Sequence, residues 1–195
     1  MFFNFMNNFL ITADNLSYKI NEKKLFKNIT FSLCKGECIH IKGSNGSGKS
    51  TLLRIILGIT NPTKGSINNG VKKNISYLGH KNALKSYLSV EDNILLMGLS
   101  AHKELKRYLE ILSLKDLLDI KVANLSYGQQ KKLALLRIFL SNSDLIVLDE
   151  PFVGLDIENQ NILTDFLKNQ LQNEKGIIFT SHIHCSINSN ILEID

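Results

Sequence analysis

The stretch GSNGSGKST, residues 43–51, stands between an apolar run, CIHI at residues 38–41, and a helical pattern over residues 50–57. It puts Gly43, Gly48, Lys49 and Ser50 at the fixed positions of the phosphate-binding spacing G-x-x-x-x-G-K-[ST]. Glycines let the backbone wrap closely, so that the N–H groups of Ser44, Asn45, Gly46, Ser47 and Gly48 point inward at phosphate oxygens. The helix that follows, with Thr51 in its first turn, adds free N–H groups and the positive end of its dipole. In this reading Lys49 reaches the β- and γ-phosphates and the Ser50 hydroxyl ligates Mg²⁺. Strand, glycine loop and helix in that order predict an α/β fold with a P-loop NTPase core.

Working outward, SDLIVLDEP at residues 143–151 is a continuous apolar run ending in two acids. A run without alternation suits a strand buried on both faces, as in a parallel sheet flanked by helices. Ligands of such sheets sit at the carboxyl ends of strands, so this strand is expected beside the phosphate loop with Asp149 and Glu150 emerging at the site. Asp149 is suited to holding Mg²⁺ through water, and Glu150 to polarising an attacking water as general base. GIIFTSH (176–182) reads as a second buried strand, residues 157–171 as an amphipathic helix, and ILEID (191–195) as an edge strand. Upstream, residues 9–41 alternate in short runs broken by the turns INEKK and CKGE, which predicts strands. Further turns fall at NPTKG and Asn69-Gly70, with a strand over 74–78. Residues 86–122 shift to helical spacing, with LKRYLEILSL (105–114) continued by KDLLDI. The expectation is one domain over 9–195, with a core at 9–80 and 140–195 and an inserted helical lobe at 84–138. Residues 1–8 read as an extension, with Met6 as an alternative start.

LSYGQQ (125–130) opens a basic helix, KKLALLRIFL. Ser126 and the Gly128 backbone give that helix start a second anion-binding surface. One nucleotide has no need of two such surfaces, which suggests a composite site completed by another copy. Here the chain resembles the ATP-binding cassette (ABC) family, whose signature is LSGGQ, and its motifs follow the family's order over nearly the whole length. The resemblance implies an ABC-type nucleotide-binding domain with an N-terminal antiparallel β-subdomain and a small inserted helical subdomain. It implies ATP and Mg²⁺ as bound groups and a head-to-tail dimer of two copies. Tyr18 then matches the aromatic that stacks on adenine, residues 43–51 the Walker A loop, and Asp149 with Glu150 the Walker B end. Ser126, Gly128 and Gln129 would meet ATP held by the opposite copy, and Gly154, Leu155 and Asp156 would cross the dimer interface. His182 matches the switch histidine that senses the γ-phosphate, working with Lys49 and Glu150. Two positions depart from the pattern. Tyr127 replaces a signature glycine, and His80 stands where a glutamine is usual, to contact the metal-bound water or a transmembrane partner as neutral imidazole.

The stretch YLGHKNALKSYLSVEDNI (77–94) is similar to the ATP-binding subunits of haem exporters in cytochrome c biogenesis. That implies a translocase peripheral to the cytoplasmic face of the inner membrane, driving haem export or release of a haem chaperone with integral membrane subunits. The chain carries no haem-ligand motif, so haem handling would fall to those partners. An exporter for lipid or peptide, or a soluble cassette protein, is the alternative. A translation factor would carry two cassettes, a DNA-repair cassette needs a long coiled-coil insertion, and no N-K-x-D motif marks a GTPase. Hydrophobic residues at 44% and charged residues at 21% fit an ordinary globular protein. The net charge of +5 comes from scattered lysines without aromatic interleaving, which argues against a nucleic-acid site. Three cysteines make no disulfide framework, and no apolar run reaches the roughly 18–20 residues that span a bilayer.

Overall fold

Two sheets of different character divide the chain. The computed structural model describes residues 9–71 and 74–194; residues 1–8, with the expected extension and the alternative start at Met6, lie outside the described residues. Strands β1 (Phe9–Ile20), β2 (Lys23–Cys34) and β4 (Lys64–Asn69) form an antiparallel sheet in the order β2-β1-β4. The other sheet is parallel, in the order β5-β6-β7-β3-β8. Its strands are β3 (Cys38–Lys42), β5 (Ile75–Leu78), β6 (Leu145–Asp149), β7 (Gly176–Thr180) and β8 (Asn190–Glu193). The helices are α1 (Lys49–Ile56), α2 (Val90–Leu96), α3 (Leu105–Ile111), α4 (Tyr127–Phe139) and α5 (Ile157–Gln172).

Side chains of the parallel sheet alternate between two apolar layers, as the two-residue period of a strand requires. Ile146, Leu148, Ile177 and Phe179 face a layer built with Leu133, Leu136, Leu163 and Leu167 of α4 and α5. Leu109, Leu112 and Val122 of the helical segment join that same layer. Leu145, Val147, Ile178, Ile39 and Ile41 face the other layer, with Leu52, Leu53, Ile55 and Ile56 of α1 and with Ile11, Leu16 and Leu33 of the antiparallel sheet. Helix α4 is wrapped nearly all round, since Leu133 to Leu136, Ile138 and Phe139 are all buried.

The alternating run upstream of the phosphate loop forms two twelve-residue strands parted within INEKK, and CKGE turns the chain into β3, as the sequence suggests. Asn21, at φ 52°, makes the tight turn between them. Residues 105–114 are not one continuous helix: α3 stops at Ile111, where Ser113 turns left-handed at φ 54° and the Leu114 N–H closes onto the Leu109 carbonyl at 2.8 Å. Strand β7 pairs with both β3 and β6 and stands between them. The closing strand β8 does sit at the sheet edge, as its sequence suggests. Among the described residues no helix is long and apolar enough to cross a membrane.

Candidate functional site

A cleft of about 600 Å³ opens at the carboxyl ends of the parallel strands. The phosphate loop forms its floor through Asn45, Gly46, Gly48, Lys49, Ser50 and Thr51, and Asp149, Glu150, His80 and His182 converge on the same space. These four stretches, far apart in sequence, therefore meet in one cavity. Gly48 sits at φ 106° as the residue before α1, so the first free N–H groups of that helix face the cleft. The Lys49 ammonium donates to the carbonyls of Gly43 (2.8 Å) and Ser44 (2.9 Å), spanning the loop from its helical end. Ser47 is buried, and its N–H donates to the Ser44 carbonyl at 3.2 Å. Gly43 is pressed against the last described residue: a Cβ there would meet the Ile194 carbonyl oxygen at 2.3 Å.

The two acids at the end of β6 occupy unlike environments. Asp149 is 3% exposed, and its Oδ1 accepts from the Thr180 hydroxyl at 2.9 Å. The Thr180 oxygen accepts in turn from the Glu150 N–H at 3.0 Å. One hydroxyl at the end of β7 thus fixes both acids, a consequence of β7 lying beside β6. Glu150 has a left-handed backbone, φ 49°, which a non-glycine residue adopts only when its surroundings impose it. Its Oε2 accepts from the His182 N–H at 3.2 Å. Its Oε1 takes no hydrogen bond among the described residues and lies 3.6 Å from His182 Nε2. That oxygen is buried beneath the His182 ring, at the wall of the cleft that Glu150 lines. Ser50 and Asp149 supply hard oxygen donors on the same cavity, a set that fits a Mg²⁺ ion; the His80 imidazole nitrogen does not belong to that donor class.

Two expected contributions lie elsewhere. Tyr18 does not reach the cleft: it is half-buried against Phe26, ring centroids 6.2 Å apart, and lines a neighbouring pocket with Lys19 and Lys24. Ile20 and Leu25 line the cleft on that side. Ser126, Gly128 and Gln129 stand outside the cleft at the start of α4. There the Ser126 side chain caps Gln129 N–H (3.2 Å), and the Gln129 side chain reaches back to Ser126 N–H (2.8 Å).

The loop around His80 is anchored by two polar side chains, Asn93 and Arg137. Buried Asn93 accepts from Lys85 N–H at 2.8 Å and donates to the carbonyls of Lys85 and Ser89. Arg137 of α4 donates to the Asn82 carbonyl. Beyond this loop a second groove is lined by Ala83, Lys85, Leu96, Met97 and Arg137, next to the exposed Leu95. A single short loop therefore joins the cleft to the groove.

Comparison with known proteins agrees with this geometry. Residues 26–153 match the family described as ABC transporter. The chain is 35% identical over 196 residues to the cytochrome c biogenesis ATP-binding export protein CcmA of Legionella pneumophila (strain Lens), covering 92% of this chain and 96% of that one. Its fold matches a putative ABC transporter ATP-binding protein from Pyrococcus furiosus with a TM-score of 0.80 and 26% identity, over 94% of this chain and 96% of that one. The ATP-binding cassette MJ0796, a dimer in a post-hydrolysis state with ADP and Pi, matches in fold with a TM-score of 0.78 at 24% identity, over 94% of each chain.

Proposed function

The chain belongs to the ABC transporter family, and from that premise we propose that it is the ATP-hydrolysing subunit of a haem exporter, working as a head-to-tail dimer beneath membrane partners. The observation that carries the catalytic part is that Glu150, held by Thr180 and His182, lines the same cleft as Lys49 and Ser50. Two ATP molecules are held between the copies, each between residues 43–51 of one and Ser126 with Gly128 of the other. Lys49 turns from the loop carbonyls to the β- and γ-phosphates. Ser50, and Asp149 through water, hold Mg²⁺, which when bound offsets charge on the phosphate oxygens. The Glu150 carboxylate accepts a proton from water as the water oxygen bonds to the γ-phosphorus. The bond from that phosphorus to the β–γ bridging oxygen breaks, and ADP and phosphate leave. His182, beside Glu150, faces the γ-phosphate and stabilises the charge that develops there. ATP favours the closed dimer and its products the open one, and that difference does work on the partner.

The likeness to CcmA over 92% of the chain supports haem or a haem chaperone as the cargo. The His80 loop supports a route to the partner, since it touches the nucleotide cleft at one end and the Ala83–Lys85 groove at the other. On this reading the protein is peripheral to the cytoplasmic face of the inner membrane. Glu150→Gln tests the chemistry: turnover should fall about 10²–10⁴-fold while ATP-bound dimer accumulates, and unchanged hydrolysis would remove Glu150 from its role. Co-purification from membranes tests the cargo. Recovery with haem-handling membrane subunits is expected; recovery with a lipid or peptide exporter, or only as a soluble complex, would overturn it.

A further inference from the structure

Helix α4 opens at Tyr127, directly after the capping residue Ser126. The Tyr127 ring lies over Gly154: a Cβ built on Gly154 would stand 2.4 Å from both Cδ1 and Cε1 of the ring. Gly154 holds φ +84°, so ring and glycine share the space that any side chain would fill. The next residue of the helix closes from the other side, because a Cβ on Gly128 would stand 2.7 Å from the Gly154 carbonyl oxygen. The first two residues of α4 therefore straddle Gly154. One turn further, on the same face of the helix, Lys131 is 1% exposed. Burial pushes its ammonium down from the ordinary lysine range, while the carboxylates of Asp149 and Glu150 pull it back up, which places both acids within its field. The opposite face of the Tyr127 ring is open, the residue being 49% exposed.

Helix α4 is thus seated on residues 149–154, the segment that carries Glu150 and the cleft residue Val153. We propose that Tyr127 is a positioning residue that ties the phosphate-facing start of α4 to the segment bearing Glu150. The inference rests on the composite-site reading above, in which Ser126 and Gly128 serve the opposite copy's ATP and Glu150 its own. A γ-phosphate engaged at the start of α4 then fixes the placement of Glu150 in the same chain, and each site reports its occupancy to the other. The contact is made by the flat ring on a glycine, so the phenol oxygen has no part in it.

The test compares ATP hydrolysis by the full-length chain with its Tyr127→Phe and Tyr127→Ala variants, reading kcat, KM and the Hill coefficient. Tyr127→Phe should match the parent. Tyr127→Ala should lower kcat about tenfold, leave KM unchanged, and bring the Hill coefficient toward 1. A ring that served only packing would lower the melting temperature and leave the Hill coefficient of the folded fraction as it was, and that result overturns the proposal. Parent-like kcat and cooperativity in Tyr127→Ala overturn it too, as does a Phe variant as impaired as the Ala variant. Should Tyr127→Ala fail to fold, Tyr127→Leu keeps apolar bulk without the flat face and is read the same way. Failure of the composite-site reading is recognised separately, by Ser126→Arg hydrolysing ATP like the parent.

Discussion

Ser126 has two duties, and a pair of substitutions separates them. Its side-chain oxygen accepts the Gln129 N–H at 3.2 Å, which caps α4. A hydroxyl has a proton to give as well as lone pairs to receive, so the same group can still donate to a phosphate oxygen. Ser126→Ala removes both and should cost about 1 kcal/mol of stability as a lost cap, a fall of about 2–4 °C in melting temperature for a chain of this size. Ser126→Asp restores the cap, because a carboxylate accepts the same N–H. It also sets a negative charge toward the γ-phosphate of the opposite copy. At a separation of about 4 Å and an effective dielectric of about 20, each charge pair costs about 4 kcal/mol, or roughly a thousandfold in ATP-driven association. Thermal melting without nucleotide reads the first duty. Light scattering of the ATP-bound dimer, in the Glu150→Gln background, reads the second. The expected pattern is a cross-over: Asp melts like the parent yet fails to dimerise, while Ala melts early and dimerises better than Asp. A Ser126→Asp protein that both melts and dimerises like the parent would refute the placement of α4 against phosphate.

Two further substitutions probe the frame around the cleft. Gly43→Ala drives a Cβ to 2.3 Å from the Ile194 carbonyl and 2.6 Å from Ser47 Oγ; because one obstacle is backbone, strain of about 1–3 kcal/mol is expected, with a lower melting temperature and weakened binding of a fluorescent ATP analogue, and parent-like values in both assays would contradict the close packing. His40 is buried, stacked on Phe179 with centroids 4.3 Å apart, and its Nε2 lies 3.0 Å from the Ser181 carbonyl oxygen. Burial holds its pKa below the ordinary 6.5. As pH falls through the window below 6.5 the unfolded chain binds more protons than the folded one, so stability declines there, while above it this group contributes no pH dependence. Urea midpoints at about pH 7.5 and about pH 5.5 should therefore differ more for the parent than for His40→Gln, and equal losses would exclude His40 as the source.

What the sequence showed and what it hid have physical reasons. Residues 43–51 were legible because phosphate chemistry dictates both residue type and spacing within one short segment. The acids at 149 and 150 were legible because a doubly buried apolar strand carries charge only at its end, where Asp149 closes β6. The position of Tyr18 outside the cleft lining was not legible, because β1 breaks register between Leu16 and Tyr18 and again between Tyr18 and Lys19, and a strand's sequence does not announce its bulges. The ring then packs on Phe26 while Ile20 takes the cleft wall. Thr180, Asn93 and Arg137 escaped notice for a different reason. Thr180 acts on Asp149 and Arg137 on Asn82, both across the fold, while Asn93 ties its own segment at Lys85 and Ser89, and nothing local distinguishes them from an ordinary buried threonine, helical arginine or asparagine.

The wrapping of α4 has a mechanical meaning. A helix buried on one stripe can roll or bend against its support, but one enclosed on all sides, from Leu133 through Phe139, moves only with its surroundings. Its thirteen residues make a rod of about 20 Å at 1.5 Å per residue, gripped along the Phe139 half and held at the Ser126 end through Gly154. Pivoting such a rod by about ten degrees carries its tip about 3.4 Å, roughly one hydrogen-bond length. A modest tilt of the helical segment is therefore enough to make or break every contact at the tip, and the length of the rod sets how far the tip travels for a given tilt.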